Sequence, residues 1–150
     1  MSVVRYTPDL QEHALKIARA MHAEANYNEL PLNEKKLLAL IASPNVFVVM
    51  YLFEGEYIGG MLGAISPHYF TDGMVAKDLM LYVLPKWRGR CPTAAVRMIR
   101  AFEEWAASKG VKEVYLSQSI GIDIEMTTNF YKKMGYSVMG SITKKELHHV

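Results

Sequence analysis

The stretch "VLPKWRGRCPTAAVRMI", residues 83–99, decides how the rest of the chain is read. It closes a strand, crowds a proline, two arginines and a glycine into a turn, and opens a helix. Pro85 ends strand pairing. Arg88, Gly89 and Arg90 form a flexible turn flanked by two guanidinium groups. Pro92 suits a first helical position, where its missing N–H had no intrahelical partner. Thr93, Ala94 and Ala95 then offer small side chains over unpaired amides. A helix start of this kind carries partial positive charge and free N–H groups, so its natural guest is an anion, and arginine binds phosphate bidentately.

Working outward, residues 92–109 read as an amphipathic helix. Ala95, Met98, Ile99, Phe102, Trp105 and Ala106 form one face, with Arg97, Arg100, Glu103 and Glu104 on the other; Gly110 stops it. Upstream, residues 74–84 form a long strand. Before it come a buried strand, "VFVVMYLF" (46–53), a turn at "EGE" (54–56) and a returning strand over 57–66. Gly59, Gly60 and Gly63 in that last strand predict a bulge or a close backbone approach. The loop "SPHYFTDG" (66–73) joins these strands. Nearer the N-terminus, residues 3–6 are strand-forming. A helix follows, opened by Thr7 and Pro8 with Leu10, Ala14, Ile17, Ala18 and Met21 at helical spacing, then a second capped by Asn33 with Leu37, Leu38 and Ile41 as its stripe. Downstream, "KEVYLSQS" (112–119) reads as a strand, residues 125–134 as a short helix closed by Gly135, and "YSVMGSITKKEL" (136–147) as a final strand. The order is β-α-α-β-β-β-α-β-α-β, an α/β chain whose central hairpin makes the sheet mixed and mostly antiparallel, with six to seven strands and about four helices.

The 150 residues form one expected domain, and a hydrophobic fraction of 51% suits a packed core. A net charge of only +2 argues against a dedicated nucleic-acid binder. The single cysteine, Cys91, forms no internal disulfide and has no histidine placed beside it by motif, so it reads as a small loop residue rather than a nucleophile. With no basic-then-apolar leader and no apolar run near the ~20 residues of a membrane helix, the expectation is a soluble cytoplasmic protein without membrane contact. The methionines read as core filler. Lys132-Lys133 reads as a solvated face, and His148-His149 as a tail rather than a metal site.

The corner resembles motif A of the GCN5-related N-acetyltransferase (GNAT) superfamily. There a strand ending "V-x-P-x-x-R-G-x-G-x-G/A" precedes a long helix, and the loop amides hold the pyrophosphate of CoA. Val83, Pro85, Arg88 and Gly89 match. Cys91 and Thr93 stand where the later glycines fall, and Pro92 cannot donate a hydrogen bond. A similarly degenerate "RG…AA" loop occurs in some phage-encoded members. A second segment, "NFYKKMGY" (129–136), resembles the family's "F-Y-x-x-x-G-F/Y" through Phe130, Tyr131, Gly135 and Tyr136.

The resemblance implies a GNAT fold over nearly the whole chain and direct acetyl transfer from acetyl-CoA to an amine, on a small molecule or a protein. The cofactor would be held by Leu81, Tyr82 and Val83 on the strand and by Arg88, Gly89, Arg90, Cys91, Thr93 and Ala94 at the corner. A backbone N–H near Leu81 or Tyr82 would polarise the thioester carbonyl, and Tyr131 would protonate the leaving thiolate. An alkyl amine with a pKa near ~10.4 is protonated at neutral pH and needs a base. Asp78 is the first candidate, grouped by strand alternation with Met80, Tyr82 and Leu84 unless a bulge shifts the phase. Glu125 is the second, and His68 and Asp72 follow. Each also has a plainer reading: an ion pair for Asp78, a helix-start acid for Glu125, surface contacts for the loop. Glu24, Tyr27 and Glu29 would suit a cationic acceptor. A homodimer is possible, and the alternative reading is a non-catalytic CoA-binding or protein-binding module of the same fold.

Overall fold

The computed structural model describes residues 2–25, 30–117 and 123–147. Tyr27, Glu29, the end of the 112–119 segment and His148-His149 lie outside them. The elements are β1 (Ser2–Arg5), α1 (Gln11–Glu24), α2 (Glu34–Ile41), β2 (Val46–Phe53), β3 (Glu56–Pro67), β4 (Met74–Val83), α3 (Thr93–Ser108), β5 (Val114–Tyr115) and α4 (Ile124–Lys133). Short 3-10 turns precede α1 (Pro8–Leu10) and follow β4 (Pro85–Trp87). The strands form one sheet in the order β1-β2-β3-β4-β5. The first three pairings are antiparallel, and β4 runs parallel to β5.

The sheet is sandwiched between helices, which explains why β2 is apolar on both sides. Phe47, Val49 and Tyr51 pack with Met98, Ile99 and Phe102 of α3, while Met50 packs with Ile17 and Met21 of α1. Asn33 caps α2 as its side chain accepts from Lys36 N at 2.9 Å. The β2–β3 turn places Glu54 and Gly55 at φ 49° and 79°, a left-handed pair that fits a tight hairpin. Gly63 supplies a close approach of the expected kind. A Cβ there would stand 2.4 Å from the Phe102 ring, so its bare backbone lets α3 lie on the sheet.

Two expectations are corrected. First, the sheet of the described residues has five strands, not six to seven. Residues 136–147 form no ladder. A β-prone segment becomes a strand only where an edge accepts its hydrogen bonds, and every residue from 137 to 147 is exposed. Second, the phase of β4 shifts. Leu62 pairs with Met80 but Gly63 with Asp78, so Leu79 is the extra residue of a bulge. Met80 and Tyr82 face α1, whereas Leu81 and Val83 pack on the α3 side. Asp78 turns to that second side, against Ser117, rather than siding with Met80 and Tyr82.

Candidate active site

The parallel pairing of β4 with β5 covers only Ala76–Val114 and Lys77–Tyr115, after which the two strands part. The gap opens into a cavity of about 590 Å³ between β4, the start of α3 and α4. Asp78, Leu81, Tyr82, Val83, Arg88, Cys91 and Tyr131 all line it. The other expected site residues do not. Ala94 is buried in the α3 packing, Thr93 and Gly89 are exposed, and Glu125 is an exposed residue of the first turn of α4. Arg90 stacks over Trp87 at 4.5 Å and lies 3.8 Å from Glu54. His68 and Asp72 sit in the β3–β4 loop, away from the cavity.

Backbone direction assigns the open edge of β4. Leu84 N donates across to Ile58 O of β3 at 2.8 Å. Val83 O faces the other way and accepts from Arg88 Nε at 2.9 Å. Alternation therefore turns the N–H of Leu81 toward the gap and that of Tyr82 toward β3.

At the corner, several amides are already used. Those of Arg88, Arg90, Cys91 and Ala94 donate to Pro85, Trp87, Trp87 and Cys91 carbonyls respectively. Among the described residues, the amides of Gly89, Thr93 and Ala95 donate to no carbonyl. Arg88 arrives paired: its guanidinium holds both oxygens of Glu24 at 2.7 and 2.9 Å, and the Tyr82 hydroxyl donates to the same carboxylate at 2.7 Å. Arg88 holds the Glu24 carboxyl below the usual carboxylate range, while burial and the Glu24 charge push the Tyr82 phenol up to about 12. This clamp ties the end of α1 to the cavity wall across a chain separation that sequence patterning does not register.

Asp78 and Tyr131 meet at Ser117. Asp78 Oδ1 accepts from Ser117 N at 2.8 Å and from its hydroxyl at 3.1 Å. The Tyr131 hydroxyl donates to Ser117 O at 3.2 Å. Burial raises the Asp78 carboxyl from its ordinary 3.8 to about 6, the Ser117 hydrogen bonds only partly offsetting it. Burial and the Asp78 charge raise the Tyr131 phenol, which therefore stays protonated at neutral pH. A carboxylate that can take a proton thus stands near a phenol that can give one. Ser117 was missed in the sequence, where it is one of two serines in a polar run. Asp123, which caps α4 by accepting from Met126 N at 3.2 Å and lines the cavity, was missed too; an aspartate just ahead of an apolar helical run is the signal that marks such a cap.

The sequence pattern of the Acetyltransferase (GNAT) family matches residues 9–136. The chain belongs to that family. It is accordingly an N-acetyltransferase that uses acetyl-CoA as co-substrate. Solved structures share the GNAT fold at low identity. The aminoglycoside acetyltransferase AAC(6')-Iy, in complex with a bisubstrate analogue of CoA and acetylneamine, superposes with a TM-score of 0.77 at 15% identity, over 99% of this chain and 98% of that one. AAC(6')-IG of Acinetobacter haemolyticus gives 0.73 at 15% identity over 100% of both chains. An acetyltransferase of Trypanosoma brucei gives 0.73 at 17% over 97% and 99%. No curated protein matches the chain in sequence. The phage-encoded subtype finds no support among these GNAT relatives. Among the described residues, no helix is long and apolar enough to cross a membrane.

Proposed function

We propose that this GNAT member acetylates a primary amine by direct attack within a ternary complex, with Asp78 as base and Tyr131 as acid. The observation that carries the reading is the cavity in which both groups meet at Ser117 beside the open edge of β4. The cavity fits the co-substrate. Its edge offers an unpaired strand for an amide-bearing arm, and its corner keeps the Gly89, Thr93 and Ala95 amides free for phosphate oxygens. Bound there, acetyl-CoA supplies an activated acetyl thioester.

The N–H of Leu81 donates to the carbonyl oxygen as negative charge builds on it. Asp78, ionised above about pH 6, accepts the proton that the amine must lose. Tyr131 gives its proton to the departing sulfur and recovers one from solvent. Arg88 holds the corner through Val83 O and Glu24, so its removal loosens the wall against which the diphosphate rests. An amine acceptor agrees with the aminoglycoside acetyltransferases among the structural neighbours. The whole chain acts as one unit in the cytoplasm, where thiols stay reduced.

The test pairs two measurements. Acetyl-CoA should raise the melting temperature of the chain, because a ligand that binds only the folded state stabilises it. Tyr131→Phe should retain that rise while release of free CoA in an amine panel slows by about 10²-fold or more. A rise in melting temperature without turnover of any amine would favour the non-catalytic module, and no rise would reject the cavity as the cofactor site.

A further inference from the structure

Arg88 is engaged at three nitrogens in the free chain. Its Nε–H donates to Val83 O at 2.9 Å, and its two terminal nitrogens donate to Glu24 Oε2 at 2.9 Å and to Oε1 at 2.7 Å. The Tyr82 hydroxyl donates to the same carboxylate at 2.7 Å, and the guanidinium lies 5.2 Å from the centre of the Tyr82 ring. The Arg88 and Glu24 side chains are 38% and 31% exposed, so solvent and salt screen the pair only in part.

Two features of this arrangement work against loading of the cofactor. Leu84 N points to β3, so Val83 presents both its N–H and its C=O to the gap. An amide-bearing arm that adds to this edge uses that C=O as an acceptor, and Arg88 already covers it. The fork that Arg88 offers Glu24 is also the fork it would offer a phosphate, so the carboxylate takes the place of the anion. Glu24 is the last residue of α1, at the negative end of the helix dipole, where a carboxylate is disfavoured. The helix gains nothing from an acid there; what the acid does in the fold is hold Arg88.

We infer that Glu24 is a positioning residue that acts through Arg88: it parks the guanidinium across the β4 edge of the free chain, and acetyl-CoA binds by drawing Arg88 off Val83 O and Glu24 onto its diphosphate. The inference rests on the cavity being the seat of the cofactor. The contact opposes cofactor binding without touching the reacting atoms, so its removal tightens binding, whereas removal of a mere support of the wall would weaken it.

The test titrates acetyl-CoA calorimetrically into the natural chain, Glu24→Gln, Arg88→Gln and the double variant. Glu24→Gln keeps the shape and an oxygen for Tyr82 but not the charge, and should bind about 5-fold tighter. In turnover the gain should appear in KM for acetyl-CoA rather than in kcat. In the Arg88→Gln background the same change should bring no gain, because no guanidinium is left to release. In the natural chain, the nuclear magnetic resonance signal of the Arg88 Nε–H should shift on saturation with acetyl-CoA as the group leaves Val83 O. Binding by Glu24→Gln that equals or falls below that of the natural chain would make Glu24 a support of the wall and overturn the inference. So would a gain that persists without Arg88, or a resonance that acetyl-CoA leaves unmoved. A natural chain that takes up no acetyl-CoA would overturn the cofactor seat itself, and the parked arginine with it.

Discussion

Replacing Asp78 with asparagine should make the protein more stable at neutral pH and stop it working. The carboxyl is buried, and its pKa lies near 6 in the fold against an ordinary 3.8. Below 3.8 both folded and unfolded chains hold the proton, and the group is neutral in its difference. Between 3.8 and about 6 the unfolded chain releases the proton while the fold keeps it, so stability falls as pH rises. Above about 6 the fold has ionised too, and the penalty is complete. At about 1.4 kcal/mol per pH unit, that gap amounts to about 3 kcal/mol. Asparagine keeps the oxygen that accepts from Ser117 and carries no charge to desolvate. Urea unfolding of both proteins at pH 7.5 should therefore show the variant ahead by an amount approaching that figure, with the advantage gone by pH 3.5. In parallel, kcat/KM of the natural enzyme should rise through a limb near pH 6, and the variant should lose activity by about 10²-fold or more. An advantage that is absent at pH 7.5, or that persists unchanged in acid, would refute the account of a carboxyl strained by burial. A variant that turns over normally would remove Asp78 from the chemistry.

Gly63→Ala should destabilise the fold by about 2 kcal/mol, read as a lower urea midpoint, because the new methyl meets the Phe102 ring and α3 must shift. Ala95→Leu should leave the melting temperature of the free protein nearly unchanged and abolish its rise with acetyl-CoA, since Ala95 lines the cavity beside the free corner amides.

Most of the architecture was legible because its signals are local. Pro85, the arginine turn and the periodicity of α3 follow one another without a break along the chain, and the Asn33 cap announces α2 by itself. Tyr131 was singled out through a motif whose helix the structure reproduces almost to the residue. The phase of β4 was not legible. "KDLMLY" reads as plain alternation, and the single extra residue at Leu79 leaves no mark in composition. Its effect is large, since it moves Asp78 from the α1 face to the Tyr131 side. The pairing of Glu24 with Arg88 joins residues far apart in the chain, and no pattern announces it. The arm after Tyr136 reads as a strand by content, but content names no partner edge.

Cys91 has a practical consequence at the bench. Its sulfur is the chain's sole thiol, and the residue is 4% exposed in the cavity wall. A chromogenic disulfide reagent added to monitor liberated CoA will meet an almost silent protein background. Whatever slow colour the folded enzyme does develop will time the breathing of that wall, and occupancy by the nucleotide should lengthen the delay.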